Sequence, residues 1–210
     1  MDKEDLARYR ERRDFRRTEE PQGTDATERA DPRPIFVIQH HIARAEHFDF
    51  RLEVDGVLKS WAVPRGPSTD PRVKRLAIPT EDHPLEYAEF EGTIPAGEYG
   101  GGTVQLWDTG HYKNTTRKSG TELSMAEGLE HGHVSVRLHG QKLSGRYALN
   151  RMRTDDDEEA WLLVKERDKD ADARRHPVVT EPRSVETGRT LEEIAQSDGR
   201  TLHGHDLDAT

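Results

Sequence analysis

The chain has 210 residues, of which 35% are charged and 31% hydrophobic, with a formal net charge of -9 and no cysteine. This composition excludes a disulfide framework and any thiolate metal site, so a bound metal would need His, Asp or Glu. No apolar run is long enough to span a membrane, and the N-terminus is too charged for a signal peptide, so we expect a cytoplasmic protein without a membrane partner. The acidic balance argues against coating nucleic acid broadly, although a local basic groove remains compatible with it.

The N-terminal part, residues 1–34, is a charged segment in which arginines alternate with acidic residues. A short helix over about 3–13, followed by a loop, is predicted from the pattern of capping and turn residues. Composition by itself favours a solvated arm with little contribution to a core.

The middle part, residues 35–168, holds nearly all the aromatic residues and about eight short apolar runs bounded by Gly, Pro or Asp. Asp55-Gly56 is a hairpin signal, and "LHGQKLSGRY" places turn residues between two further strands. Many short strands with little helix between them predict a mainly-β domain, a barrel or a sandwich. The acidic stretch 153–160 is predicted to be an exposed loop between two strands.

The C-terminal part, residues 169–210, loses hydrophobicity and is predicted to be a flexible tail. One short helix is possible at "TLEEIAQ", residues 190–196. The chain is thus expected to have flexible termini on either side of one β domain.

Two neighbouring runs, "FVIQHH" at 36–41 and "HFDFRLE" at 47–53, carry polar side chains at alternate positions. Strand geometry puts His41 on one side with Gln39, while His47 and Asp49 share one face of the next strand. If the strands are adjacent, two imidazoles and one carboxylate converge and leave coordination positions open, as in catalytic metal sites. Because His-x-Asp is not a specific motif, a polar strand face with two incidental histidines remains the alternative.

Arg51 follows Asp49 on the same face, which would suit a phosphate held between a cation and a guanidinium group. The alternative is that Arg51 simply pairs with Asp49 or Glu53. Further on, "TEDHPLEY" supplies His83 and Tyr87, each able to donate to a phosphate oxygen or a leaving group. On its own this stretch would be an ordinary loop.

The glycine-rich run "IPAGEYGGGTVQLWDTG" suggests a phosphate-binding loop at first sight. It lacks the GK[ST] ending and leads into a strand rather than a helix. A turn and a β-bulge entering "TVQLW" are therefore predicted.

Taken together, "FVIQHH...HFDFRLEVDGVLKSWAVPRGPS" and "KRLAI...EDHPLEYAEFEGTIPAGEYGGGTVQLWDTG" resemble the 3′-phosphoesterase module of the multifunctional bacterial DNA ligase D. The similarity runs over roughly residues 9–168, and self-standing relatives occur in bacteria and archaea. It implies a compact β-barrel of about eight strands with an active-site groove on one flank. It also implies a manganese-dependent enzyme that removes a 3′-terminal ribonucleoside and then the remaining 3′-phosphate. The implied substrate is a primer-template, and a separate DNA ligase or polymerase is an implied partner, since no ligase follows in this sequence.

Carried over by position, the resemblance implies one metal-binding set, one catalytic set and one substrate-binding set. The metal ligands are His41, His47 and Asp49. The catalytic residues are Arg51, His83, Tyr87, Gln39 and, in the N-terminal arm, Arg13, Asp14 and Glu20. The substrate-binding residues are Arg65, which stands where a lysine is expected, and Arg75.

The arm is where composition and resemblance disagree, and a mobile segment that closes over bound phosphate would reconcile them. Deleting residues 1–22 is then expected to cost little stability.

Two other functions stay open: a non-catalytic nucleic-acid-binding barrel that acts as a scaffold for a separate DNA ligase, and a hydrolase of small phosphoesters. Loss of a metal ligand would indicate the scaffold, whereas the small-substrate hydrolase would not need Arg13, Arg65 and Arg75.

Overall fold

The computed structural model describes residues 6–23, 31–152 and 159–207. Across these ranges the strands are β1 Ile35–Ile42, β2 Glu46–Val54, β3 Val57–Val63, β4 Lys74–Pro79, β5 His83–Pro84, β6 Gly92–Ile94, β7 Gly102–Asn114, β8 Arg117–Lys118, β9 Thr121–Glu122, β10 His133–Gly140, β11 Ser144–Met152 and β12 Ala160–Lys165. The helices are α1 Ala7–Glu11, α2 Met125–Glu130, α3 Pro177–Thr180 and α4 Leu191–Ser197, with a 3-10 turn at Leu85–Glu89. Among the described residues no helix is both long and apolar enough to cross a membrane.

Eight strands in the described part of the chain close into an antiparallel barrel in the order β1-β2-β3-β4-β12-β11-β10-β7. The pairing of β7 with β1 closes the cylinder, so that this sheet has no free edge there. The predicted β-barrel of about eight strands is therefore confirmed. The short N-terminal helix is also present, although it is described only from Ala7 to Glu11.

The predicted hairpins follow from local chemistry. Asp55 and Gly56, between β2 and β3, both have positive φ, 50° and 85°, as a two-residue primed turn requires. The turn between β10 and β11 is held by Asp108, whose carboxylate accepts the backbone N–H groups of Gln141, Lys142 and Leu143. The glycine-rich run forms a turn that leads into β7, and the register of β7 against β1 shifts between Ile38 and Gln39.

The barrel interior is filled by one face of each strand. On β2 the inward residues are Phe48, Phe50 and Leu52, which lie in a large apolar cluster with Trp107 and Phe36. The opposite face of β2 carries His47, Asp49 and Arg51, as the alternation of the sequence predicts. The polar residues are therefore placed on the outer wall of the barrel.

A second apolar cluster covers part of this outer wall. It joins Leu6 and Tyr9 of the N-terminal arm to Val37, Leu58 and Tyr87. Composition suggests a solvated arm, but Tyr9 is fully buried. The outer wall of β1 and β3 carries apolar side chains, and the arm packs against them and shields them from water. The arm therefore forms a packed layer over the barrel.

The described part of the C-terminal segment also lies on the barrel. Trp107 Nε1 donates to the Glu181 carbonyl at 2.9 Å, and Gln105 Nε2 donates to the Arg189 carbonyl at 2.8 Å. The helix predicted at residues 190–196 is present as α4, which buries Leu191 and Ile194. These few apolar side chains and backbone contacts hold a segment whose composition suggests a flexible tail. Of the predicted acidic loop at residues 153–160, residues 153–158 lie outside the described residues.

Candidate active site

Three potential metal ligands converge on the outer wall at the ends of β1 and β2. His41 lies opposite His47 in the strand register, and Asp49 is two residues further along β2. The Asp49 Oδ2 atom is 3.7 Å from His41 Nδ1 and 3.6 Å from His47 Nε2. Among the described residues, this is the group of ligand atoms close enough to hold one ion, all within 4.8 Å of one another.

Each of the two imidazoles is held by a hydrogen bond from one ring nitrogen to a backbone carbonyl, which turns its other ring nitrogen towards Asp49. His41 Nε2 donates to the Gly100 carbonyl, and His47 Nδ1 donates to the Ala45 carbonyl, both at 2.9 Å. A carbonyl can only accept, so the neutral rings keep a lone pair on the nitrogen that faces Asp49. Imidazoles held in this way by backbone carbonyls are typical of metal ligands. The donor set therefore fits a divalent ion such as Mn²⁺, Zn²⁺ or Fe²⁺.

Burial of Asp49 opposes its ionisation, but the charge of Arg51 holds its pKa well below the ordinary value. Burial likewise opposes protonation of His47, and Asp49 outweighs it and raises the pKa of that imidazole. Ionised Asp49 thus attracts positive charge to this position, and a bound metal ion would supply that charge.

Arg51 lies at the centre of the cleft wall and is almost fully buried. Its Nε atom donates to Gln39 at 2.8 Å, and its terminal nitrogens contact Ser60 at 2.9 Å and Asp49 at 3.1 Å. Arg51 thus pairs with Asp49 and also lines the cleft. Gln39 in turn donates to the Tyr87 and Phe90 carbonyls, so it positions Arg51 from behind the wall.

His83 lies between two guanidinium groups. Its Nδ1 atom is 2.9 Å from an Arg51 nitrogen, and its Nε2 atom is 3.4 Å from Arg13. Burial, followed by the charges of Arg51 and Arg13, lowers the pKa of His83 well below its ordinary value. The imidazole is therefore neutral at pH 7.

The arm contributes Arg13 to the same cleft. Its guanidinium pairs with Glu20 at 2.8 Å and with Glu81 at 3.1 Å, and it stacks over the Tyr9 ring at 3.8 Å. Glu20 is buried and also accepts the hydroxyl of Tyr87 at 3.1 Å. Glu20 therefore positions Arg13 and Tyr87 and lies behind the cleft surface.

The cleft has a volume of about 770 Å³ and joins most of the predicted residues. Its lining includes the three metal-ligand candidates together with Arg13, Arg51, His83 and Tyr87. Gln39 and Glu20 lie behind the cleft wall, and three further predicted residues lie elsewhere. Asp14 is bound to Arg16, and Arg65 and Arg75 lie near one another at the end of β3 and on β4, outside the lining.

Several lining residues were missed from the sequence. They are Arg44, Glu81, Tyr99, His203 and His205. Arg44 sits in the turn between the two ligand strands, so its position beside His41 and His47 was a usable signal. The two C-terminal histidines are more than 150 residues from the triad in sequence, and no local pattern connects them to it.

The fold and the cleft thus define a β-barrel protein with a candidate metal site beside arginines suited to a phosphate. The family model described as the DNA ligase D 3′-phosphoesterase domain matches residues 39–151. The chain belongs to this family, which confirms the resemblance found in the sequence. A phosphoesterase domain family indicates a hydrolase.

Curated relatives agree with this family assignment. The chain is 48% identical over 189 residues to the multifunctional non-homologous end joining protein LigD of Pseudomonas aeruginosa, covering 89% of this chain and 22% of that protein. It is 51% identical over 157 residues to the multifunctional non-homologous end joining DNA repair protein LigD of Mycobacterium tuberculosis, covering 75% and 19%. The chain therefore spans about one-fifth of the length of these relatives.

Proposed function

We propose that the protein is a manganese-dependent phosphoesterase that heals 3′ ends of nucleic acid for repair. It removes a 3′-terminal ribonucleoside by phosphodiester hydrolysis and then hydrolyses the 3′-phosphate to leave a 3′-hydroxyl. The observation that carries the proposal is the convergence of His41, His47 and Asp49 beside Arg51 in one open cleft. The relatives are non-homologous end joining proteins, which supports a substrate of this kind.

The metal-binding part of the mechanism belongs to the triad. His41, His47 and Asp49 would hold one divalent ion, which when bound supplies a Lewis acid for a phosphate oxygen. Asp49 stays ionised because its pKa is held low. The two backbone carbonyls keep His41 and His47 in the tautomers whose free ring nitrogen can bind a metal ion.

The phosphate-binding part belongs to the two arginines. Arg51 and Arg13 face the cleft from the barrel wall and from the arm, so together they can neutralise the negative charge that develops on the phosphate oxygens. Glu20 and Gln39 hold these guanidinium groups in place. Water adds to phosphorus as the ester P–O bond breaks, and a proton goes to the leaving oxygen.

His83 contributes as a neutral group. Its low pKa keeps the imidazole uncharged, so it acts through hydrogen bonding and not as a stored positive charge. The charges of Arg51 and Arg13 that lower this pKa are offset when an anionic phosphate binds between them. Tyr87, which is buried against Arg51 with its hydroxyl on Glu20, supports the same wall.

The proposed substrate is a primer-template ending in a 3′-ribonucleotide or a 3′-phosphate, and the proposed partner is a DNA ligase or polymerase in the cytoplasm. Nucleoside removal is expected to need a 2′-hydroxyl near the 3′ end, because this group offers a donor and an acceptor that DNA lacks.

The test uses a 5′-labelled primer-template with manganese, compared with an all-deoxy primer of the same sequence. We expect stepwise resection of the ribonucleotide end through a 3′-phosphate to a 3′-hydroxyl, and little trimming of the deoxy end. Equal trimming of both primers would identify a general exonuclease instead.

Three single variants, His41→Ala, His47→Ala and Asp49→Ala, test the metal site separately from folding. Each should remain folded and unfold cooperatively, lose activity, and lose Mn²⁺ binding as followed by electron paramagnetic resonance. Full activity of any of them in the presence of a chelator would contradict the assigned site. Binding of primer-template without any cleavage by the wild type would favour the scaffold alternative, and cleavage confined to a chromogenic phosphoester would favour the small-substrate hydrolase.

A further inference from the structure

The C-terminal hairpin, defined here as residues 199–207, forms one rim of the cleft. The hairpin is closed by an isolated bridge and an ion pair between Arg200 and Asp206, at 2.9 Å, and by a 2.7 Å hydrogen bond from the Thr201 N–H to the His205 carbonyl. It is therefore a defined turn rather than an extended tail.

This hairpin is fixed to the site-bearing part of the barrel. The Leu202 carbonyl accepts the Thr103 N–H at 2.9 Å, and the Gly204 carbonyl accepts the Ala96 N–H at 2.8 Å. Gly204 has a φ of +81°, and a Cβ at this position would lie 2.3 Å from the Ile94 carbonyl oxygen. Only glycine allows this approach, so a side chain at position 204 should lift the hairpin from the barrel.

The two residues beside Gly204 are the histidines that line the cleft. His203 donates its Nδ1–H to the Ala43 carbonyl at 2.9 Å, in the turn that joins the ligand strands β1 and β2. Both imidazoles are exposed. Neither belongs to the described cluster of ligand atoms that could share an ion with the triad.

These histidines lie outside the candidate metal site, so their imidazoles are available for other contacts. A cleft of about 770 Å³ is large enough for more than a terminal phosphate. An imidazole can donate to a phosphate oxygen or accept from a sugar hydroxyl, the two polar groups of a nucleic-acid backbone.

We propose that His203 and His205 bind the sugar–phosphate backbone of the strand whose 3′ end enters the cleft, and that the hairpin is a substrate-binding element. This inference rests on the proposed function. It adds a binding surface that the ligand strands do not contain, and it assigns a role to a segment whose composition alone suggests a solvated tail.

The experiment measures binding of the full-length protein to a fluorescent primer-template by anisotropy, with a chelator present so that no cleavage occurs. The variant His203→Ala/His205→Ala should bind more weakly and raise the Kd by about 3- to 10-fold, the loss expected for hydrogen bonds of ordinary strength. With manganese present, KM should rise by a similar factor while kcat changes little. His131→Ala, which removes an exposed histidine at the end of α2, is the matched control and should bind as the wild type does.

A second variant keeps both imidazoles and moves them. Gly204→Val should lift the hairpin and weaken the Kd to a similar extent, while the barrel still melts cooperatively. If the double-histidine variant or Gly204→Val binds and turns over as well as an active wild type, the inference is wrong and the proposed function stands. If the wild type itself neither binds nor cleaves the primer-template, the proposed function is wrong and the inference falls with it.

Discussion

His83 makes the stability of the protein depend on pH in a direction that the structure determines. The imidazole is 4% exposed, and burial together with Arg51 and Arg13 lowers its pKa well below the ordinary value of 6.5. The folded protein therefore keeps His83 neutral under conditions in which the unfolded chain protonates it. Since the unfolded state then binds more protons, the free energy of unfolding falls as the pH falls below about 6.5.

The size of this effect follows from one proton. Between about pH 7.5 and pH 5.5, a histidine that is protonated only when unfolded removes on the order of 1 kcal/mol of stability. For a chain of this length, that corresponds to a decrease of about 2–4 °C in the melting temperature. Other histidines also titrate in this range, so the quantity of interest is the difference between two proteins.

The perturbation is His83→Asn, whose side-chain oxygen can still accept from Arg51. Thermal unfolding followed by circular dichroism across this pH range should show a weaker acid destabilisation in the variant, by on the order of 1 kcal/mol. The control His131→Asn removes an exposed histidine and should follow the wild type. A pH dependence in His83→Asn equal to that of the wild type would refute the assignment of a neutral, buried imidazole.

Three further variants test the arm, the barrel turn and the support of the cleft. Tyr9→Ala removes the fully buried aromatic ring of the arm and should lower the free energy of unfolding in urea by about 3–5 kcal/mol. A loss below about 1 kcal/mol would show that the arm is a solvated extension that does not pack on the barrel. Asp108→Asn places an amide against backbone N–H groups and should cost about 1–3 kcal/mol in the same assay, whereas a neutral effect would show that the carboxylate does not hold the turn. Glu20→Gln should raise KM for the primer-template by releasing Arg13, while the exposed neighbour Glu19→Gln should not; equal kinetics in the two variants would contradict the positioning role.

The arm shows how a prediction from composition differs from the folded structure. Its charged sequence indicates solvation, and the resemblance indicates function through Arg13, Asp14 and Glu20. In the structure Glu20 is buried behind Arg13, while the Asp14 carboxylate is bound to exposed Arg16. Deletion of residues 1–22 should therefore destabilise the outer cluster, because Leu6 and Tyr9 belong to it.

The sequence by itself determined the parts of the site that depend on strand geometry. Alternation with a period of two places Gln39 and His41 on one face of β1, and His47, Asp49 and Arg51 on the corresponding face of β2. The Asp55-Gly56 turn makes β2 and β3 neighbours for an equally local reason. These features need only the chemistry of adjacent residues, so they could be predicted without a structure.

The tertiary structure alone decided which segments surround the polar outer face of β1 and β2. Arg13 reaches His83 across 70 residues of sequence, and His203 reaches Ala43 across 160. Such contacts depend on burying a few dispersed apolar groups and on single backbone hydrogen bonds, which leave no periodic pattern in the sequence. The same limit explains why exposed Arg65 and half-buried Arg75 could not be separated from the arginines that line the cleft.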